Sequence, residues 1–263
     1  MAIKNEQFLK ELQPYSKMTV VPGVTVGDLN FASAQSVWST GYIAPTSNDN
    51  FAANSEVQLF QAAIGDNGQG LAPGQVMSRG QTNWQDSSGR LPANEVFIGI
   101  RCLVSVYEHT NAVVNVFGAS FANTGALYSS QVPINDVASL YGILKSFSWE
   151  YQIGDGIVRN VGPLASYPQG GGVWEAPIQL AQQAVAGSNT AIGAQNGLPS
   201  PIVAKELPIP FMFLPNITSR VVVKCGSPLT TTTGTFTAAA AEQAGDFLAI
   251  RMTFQGYKLT MPV

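Results

Sequence analysis

The sequence predicts an all-β protein, built as a sandwich or a barrel, and three features of the chain support this. Short runs of β-branched and aromatic residues recur along it, and Gly, Pro, Asn and Asp separate them. In several runs, apolar residues occupy every second position, as in 95–107 (EVFIGIRCLVSVY). The runs follow one another at short intervals, which is typical of a sandwich or barrel and not of βαβ units.

The strand-like runs are distributed over the whole chain, with about seven in each half. In the first half, strands are predicted near 18–26, 36–43, 57–64, 75–79, 95–107, 112–118 and 127–132. In the second half, they are predicted near 147–153, 157–161, 173–176, 208–214, 219–225, 229–237 and 247–259. Turn signals such as Asp66-Asn67-Gly68 and Gly154-Asp155-Gly156 lie between them.

Three stretches favour helices instead. Residues 3–12 (IKNEQFLKEL) form a short, charged N-terminal helix in this prediction. Asn135 to Lys145 begins with residues that suit an N-cap and carries an apolar stripe. Pro177 to Ala186 begins with Pro in the first turn and is followed by Gly.

The helix near the middle of the chain suggests a division into domains. Because about seven predicted strands lie on either side of it, we expect a first β-sandwich over 18–134 and a second over 135–263. Residues 1–17 precede them as a helical arm. A chain of 263 residues buries roughly 70–75% of its unfolded surface, so it needs no metal or disulfide to be stable.

Charged residues are scarce for a chain of this length. Asp, Glu, Lys and Arg make up 11% of the sequence, against roughly 25% in an average soluble domain. A free monomer normally depends on a charged surface for its solubility. We therefore expect copies of the chain, or a partner, to cover much of its surface. The net charge of −3 and the scattered cations argue against binding of nucleic acid.

The N-terminal helix has two interpretations. Its apolar residues Ile3, Phe8, Leu9 and Leu12 group loosely on one side, and ten residues are too few for a stable isolated helix. It could pack on its own domain, or it could be an arm that grips a neighbouring copy or an inner layer. The start of the chain (MAIKNEQFLKEL) lacks the pattern of a cleaved signal peptide, and no apolar stretch approaches the ~20 residues of a membrane span.

The two cysteines are predicted to be buried free thiols. Cys102 is predicted to lie on the same face of its strand as Val96, Ile98, Val104 and other apolar residues, because all of them occupy even-numbered positions. Cys225 follows Val221 and Val223 in the same way. A free Cys on an apolar strand face behaves as a small hydrophobic residue.

Motifs that carry chemistry are absent from the sequence. The single histidine, His109, follows a strong strand and is most simply a surface turn residue. HExxH, GxSxG and Cys/His zinc patterns do not occur. Gly65 to Gly74 (GDNGQGLAPG) lacks the Lys-Ser/Thr ending of a phosphate loop and is predicted to be a hairpin turn. We expect no catalysis, no cofactor and no metal.

A sugar site is the remaining possibility for chemistry on a β-sandwich. The candidate carboxylates are Glu150, Asp155 and Glu175, and the aromatic residues near them are Trp149, Tyr151 and Trp174. Since Trp149 and Tyr151 share one strand face, packing in a core or interface is the favoured interpretation. A jelly-roll glycosidase or lyase is therefore the least favoured hypothesis.

Three segments carry a resemblance to a known family. They are Gly89-Arg90-Leu91-Pro92 leading into EVFIGIRCLVSVY, the stretch 207–225 (LPIPFMFLPNITSRVVVKC) and the final strand FLAIRMTFQGYKL. In order and character, residues 90–260 resemble jelly-roll major capsid proteins of tailless icosahedral bacteriophages. The resemblance implies one or two jelly rolls per chain, and two stacked rolls are favoured, although 263 residues is short for two rolls and leaves a single roll open.

The resemblance also implies a function and partners. A chain of this family assembles with itself, as a homotrimer or a higher assembly, and with other capsid proteins in the virion after synthesis in the host cytoplasm. Its N-terminal arm faces inward, so Ile3, Phe8, Leu9 and Leu12 would contact an internal membrane or a minor protein. The alternative function is a carbohydrate-binding, lectin-like β-sandwich, supported by the supply of Trp and Tyr.

Overall fold

The computed structural model describes residues 10–67, 76–84, 89–109, 114–115, 142–154, 157–167, 172–176, 191–195, 205–231 and 247–261. Most of these residues lie in antiparallel strands, and the few helices are short. The all-β prediction is thus confirmed.

The strands, in chain order, are β1 (Thr19–Val21), β2 (Val24–Thr25), β3 (Asn30–Ile43), β4 (Asn50–Phe51), β5 (Glu56–Leu59), β6 (Glu95–His109), β7 (Val114–Asn115), β8 (Phe147–Ile153), β9 (Ile157–Pro163), β10 (Gly172–Ala176), β11 (Ala191–Gln195), β12 (Lys205–Phe213), β13 (Ser219–Cys225), β14 (Leu229–Thr230) and β15 (Phe247–Thr260). Short 3₁₀ helices span Gln13–Tyr15, Val26–Asp28 and Leu164–Ser166.

Two sheets contain the principal strands. Sheet A has the order β12-β6-β15-β3, with β7 paired to the end of β6. Sheet B has the order β5-β13-β8-β9. The remaining strands form three small pairs, β1-β2, β10-β11 and β4-β14.

The core lies between the two sheets, and strand alternation determines which residues enter it. In β15, the even-numbered residues from Leu248 to Phe254 are buried in this core, whereas the odd-numbered residues face the other side of sheet A. Trp149 and Val221 enter it from sheet B. The ring of Phe254 stacks on that of Phe211, with centroids 4.4 Å apart. The ring centroid of Trp149 in sheet B lies 5.8 Å from that of Phe254, so aromatic packing also joins the two sheets.

Strand pairing crosses the domain boundary that the sequence predicted near residue 134. In sheet A, β15 pairs with β3 on one side and β6 on the other, and β12 also pairs with β6. In sheet B, β13 pairs with both β5 and β8. The described strands thus form one pair of sheets that both halves of the chain share, and not one sandwich on each side of residue 134.

Several local predictions differ from the structure. The run near 75–79 is not a strand: Val76 makes only an isolated bridge to Asn67. The first strand of sheet A begins at Asn30, six residues earlier than predicted. Of the three predicted helices, the structure describes residues 10–12 and 142–146 as helical. The helix predicted over Pro177 to Ala186 and the strand predicted near 127–132 lie outside the described residues.

A glycine permits the close approach of β15 and β6. The register shifts between Gln255 and Gly256, where β15 faces Gly99 of β6. A Cβ atom at residue 256 would collide with the carbonyl oxygen of Ile98 and would lie 2.8 Å from the Cα atom of Gly99. Both obstacles are backbone atoms, which cannot rotate away.

We predict that Gly256→Ala lowers the free energy of unfolding by about 1–3 kcal/mol, because the new methyl group must displace a strand of the central pair. Chemical denaturation followed by tryptophan fluorescence measures this. Gly142→Ala is the matched control: its methyl group would meet Leu229 Cδ1 at an ordinary 3.5 Å, so it should be neutral or slightly stabilising. Equal stability of Gly256→Ala and the wild type would contradict the prediction.

Candidate functional site

The outer face of sheet A has an apolar end, and the N-terminal segment (residues 10–29) covers it. This end of the face comprises Val96, Ile98, Tyr257 and Leu259. The segment contributes the buried residues Leu12, Val20, Val26 and Leu29. Since the sheet would otherwise expose this end to solvent, the segment closes a second, smaller core within the same chain.

Of the predicted arm residues, the structure describes Leu12 alone. Its side chain is 4% exposed and packs in the cluster that joins the segment to sheet A. Ile3, Phe8 and Leu9 lie outside the described residues. Their inward contacts with a membrane or minor protein stay a prediction.

A hydrogen-bonded turn directs the N-terminal segment onto the sheet. Gly23 has a positive φ of 83° between β1 and β2. The backbone N–H and the hydroxyl of Thr25 both donate to Asp28 Oδ2, at 2.8 and 2.7 Å. These two bonds lower the pKa of Asp28, the side-chain bond more than the backbone bond. The resulting capping box places Val26 and Leu29 against sheet A.

A polar network anchors the start of the described chain to the centre of sheet A. The Tyr257 hydroxyl donates to Glu11 Oε2 at 2.6 Å. Arg101 Nη2 lies 3.8 Å from Glu11 Oε1 and 3.5 Å from Glu206 Oε1. Burial, followed by the hydrogen bond to and charge of Glu11, raises the pKa of Tyr257 to about 12. These side chains border a cavity of about 300 Å³ beside Ala34, Gln35 and Gln255.

The other end of the outer face is covered by residues 76–84. Met77 is buried there with Tyr42, Phe247 and Ala249. Gln81 Nε2 donates to the Tyr42 hydroxyl at 2.6 Å, and the Thr40 hydroxyl donates to the carbonyl oxygen of Gln81 at 2.7 Å. The sequence did not predict this cover, because the residues that make its contacts do not recur at the regular spacing of a strand or a helix.

The outer face of sheet B carries Lys224, which is ion-paired, and Arg220, which hydrogen-bonds to neutral amide side chains. Lys224 Nζ lies 3.1 Å from Glu150 Oε2 and 3.9 Å from Glu56 Oε2. Arg220 Nε donates to Gln152 Oε1 at 2.6 Å. Val222, between the two cations on β13, is only 2% exposed. The long side chains around it thus cover the apolar centre of this face.

Of the residues that could have formed a sugar site, the structure places Trp149 and Tyr151 on one face of β8 and Glu150 on the other. Trp149 and Tyr151 are 1% and 3% exposed and pack in the core, which confirms the packing interpretation. Glu150 faces the opposite side of β8 and pairs with Lys224. Asp155 lies outside the described residues, and Glu175 and Trp174 lie on β10. Buried rings cannot stack on a sugar from solvent.

Other chemical candidates are equally dispersed. Among the described residues, no three His, Cys, Asp or Glu side chains come together as metal ligands would. His109 is the last residue of β6. Within the same part of the chain, no helix is both long and apolar enough to cross a bilayer.

Cys102 and Cys225 are buried free thiols, as the sequence predicted. They are 0% and 1% exposed and belong to the core between the sheets. Burial raises the pKa of both thiols, and for Cys225 a backbone hydrogen bond with Ser227 partly offsets this. Since the thiolate is the reactive form, both side chains are chemically protected.

Comparison with known proteins identifies no relative: no protein family, curated protein or solved structure matches the chain. The function is therefore argued from the strand order and from the surfaces described above.

We predict that Tyr257→Phe lowers the free energy of unfolding by about 1.5–3 kcal/mol at neutral pH, because it removes a hydrogen bond to a carboxylate. The raised pKa favours the protonated phenol in the folded state. The stability that the Tyr257–Glu11 hydrogen bond contributes is thus fully present below pH about 10 and is lost as pH rises towards 12. Denaturation at pH 7 to 12 should show that the free energies of unfolding of the variant and the wild type become more similar as the pH rises. A constant difference across this range would contradict the assignment.

We also predict that neither thiol reacts with a thiol-specific reagent in the native protein at pH 8, and that both react in denaturant. Absorbance of the released chromophore measures this directly. Ser227→Cys, at an exposed position, is the positive control and should add one thiol that reacts at once. Rapid reaction of the unmodified native protein would contradict the burial of Cys102 and Cys225.

Proposed function

We propose that the chain is a structural shell protein, the major capsid protein of a tailless icosahedral bacteriophage, that assembles into capsomers without catalysis. The observation that carries the proposal is the order of the eight principal strands. Numbered along the chain, they occur as 6-3-8-1 in sheet A and 2-7-4-5 in sheet B. Jelly rolls have this order, and viral capsid subunits are among the proteins built on them.

We further infer one jelly roll per chain, and not the two stacked rolls that the resemblance favoured. The first and last principal strands, β3 and β15, lie side by side, and the chain crosses between the sheets at nearly every connection. These eight strands make up one pair of four-stranded sheets, which is the complement of a single roll. The small pairs β1-β2, β4-β14 and β10-β11 lie in the chain before this set or in its connections.

The scarcity of charged residues, and the pairing of some of them within the chain, supports self-assembly. With 11% charged residues, the chain has few ions to desolvate when subunits come into contact. On the outer face of sheet B, Lys224 already pairs with Glu150 and Glu56 within the subunit. Exposed apolar side chains, by contrast, occur at Ile209 on the edge strand β12, and at Ile64 and Val76 between β5 and β6. Such side chains suit contacts between subunits.

The N-terminal arm completes the proposal. Residues 10–29 dock on the outer face of sheet A through Leu12 and the Glu11–Tyr257 bond. We propose that Ile3, Phe8 and Leu9, which precede this anchor, contact an internal membrane or a minor capsid protein. Glu11 and Leu12 then fix the point from which the arm leaves the roll.

Assembly is tested by light scattering during size exclusion and by negative-stain microscopy of the purified full chain. We expect trimers or larger particles, because the outer surface has too few charges for a soluble monomer. The association should persist from about 0.1 to 1 M NaCl, since uncharged contacts are hardly screened.

A monomer that stays stable on concentration would contradict the proposal. Titration calorimetry against a glycan panel serves as the companion experiment, because lectins also use jelly rolls. Heat of binding to a sugar by a monomer would favour the lectin-like alternative, and the absence of heat together with particles would favour the shell.

A further inference from the structure

A row of three polar side chains crosses the outer face of sheet A, between the two segments that cover the ends of this face. Strand pairing places Arg101 of β6, Gln255 of β15 and Ser36 of β3 side by side. Phe254, next to Gln255 in sequence, points into the core, so the row projects from the opposite, outer face. All three residues line the cavity of about 300 Å³ that borders the N-terminal segment.

A β-bulge in β6 shapes one wall of this cavity. Gln255 pairs with Arg101, whereas Gly256 pairs with Gly99, so Ile100 is an extra residue of β6 at this point. Ile100 packs against the apolar cluster on the outer face of the sheet. The bulge therefore brings an apolar and a cationic side chain to the same wall. Bulges often direct side chains in this way beside functional sites.

The cavity contains polar side chains that the fold itself does not use. The amides of Gln35 and Gln255 and the hydroxyl of Ser36 line it, and none of them hydrogen-bonds to another residue in the described part of the chain. Amide and hydroxyl groups can each donate and accept hydrogen bonds. A ligand in the cavity could thus use all three groups without displacing a contact that stabilises the protein.

The charges around the cavity favour a neutral ligand. Arg101 approaches the carboxylates of Glu11 and Glu206 through Nη2, at 3.8 and 3.5 Å, and its other guanidinium N–H groups have no bond to a residue that the structure describes. Two carboxylates beside one guanidinium leave an excess of negative charge, which disfavours a phosphate or a carboxylate ligand. Arg101 itself, on the wall of the cavity, disfavours a small cation.

We propose that this cavity binds a neutral sugar, either a free monosaccharide or the terminal residue of a glycan. Sugar hydroxyls both donate and accept hydrogen bonds, which matches the two amides and the hydroxyl in the cavity, and they also accept from Arg101. Ile100 and Tyr257 supply apolar surface for the C–H groups of the sugar. The volume of about 300 Å³ is at the lower end of the range for small-molecule sites and suits one sugar ring.

This site goes beyond the proposed shell function and does not depend on it, because every residue that lines the cavity belongs to one chain. The two proposals can therefore fail separately. Sugar binding by a protein that stays monomeric would support the site and count against the shell. Particles that bind none of the sugars tested would do the reverse.

The test uses titration calorimetry of the full chain with the methyl glycosides of glucose, galactose, mannose and N-acetylglucosamine. We expect at least one of them to bind. Gln255→Ala and Ser36→Ala should each weaken its binding by about tenfold, because each removes a hydrogen bond to the ligand. Both variants should keep the melting temperature of the wild type, since neither side chain bonds to another described residue. Gln58→Ala, at a half-buried glutamine of sheet B, is the matched control and should bind like the wild type.

Two further ligands define the chemical class. An oligosaccharide that ends in the same sugar should bind more tightly than the methyl glycoside if the ligand is a glycan, and no more tightly if it is a free sugar. Inorganic phosphate should bind more weakly than either, because of the carboxylates beside Arg101. The proposal is overturned if no glycoside binds, if both variants bind as the wild type does, or if phosphate binds more tightly than the neutral sugars.

Discussion

The pairing of β15 with two neighbours is the interaction on which the rest of the structure depends. Along 14 residues it hydrogen-bonds to β3 on one side and to β6 on the other. Its even-numbered side chains build the core with sheet B, and its odd-numbered ones support two covers, the N-terminal segment and residues 76–84. One strand thus positions both covered surfaces of sheet A and its edge strand β3.

Local pattern was enough to predict the individual strands and their faces. The parity of β8 placed Trp149 and Tyr151 together, and that of β6 and β13 placed both cysteines in the core. Pairing partners were not predictable, because β6 and β13 find theirs far along the chain and no local signal specifies such contacts. Asn30–Gln35 was missed for another reason: small and polar residues give a strand no amphipathic period.

Several charged side chains on the described surface lie close to a partner of opposite charge. On the outer face of sheet B, Lys224 lies close to two carboxylates, and in sheet A Lys258 Nζ lies 2.6 Å from Glu95 Oε1. Partly exposed pairs of this kind add little stability, about 0–1 kcal/mol each. Their effect under the proposed function is different: an ion that is already paired within the subunit keeps its partner when a neighbour approaches.

The central position of β15 also has a consequence for synthesis. Residues 110–246 separate β6 from β15, so a ribosome completes β3 and β6 long before the strand that must lie between them. Until then β3 and β6 lack the strand that joins them, and unpaired strand edges with exposed apolar residues are prone to aggregation. Only a chain translated through residue 260 can place the whole of β15 between its two neighbours and close sheet A.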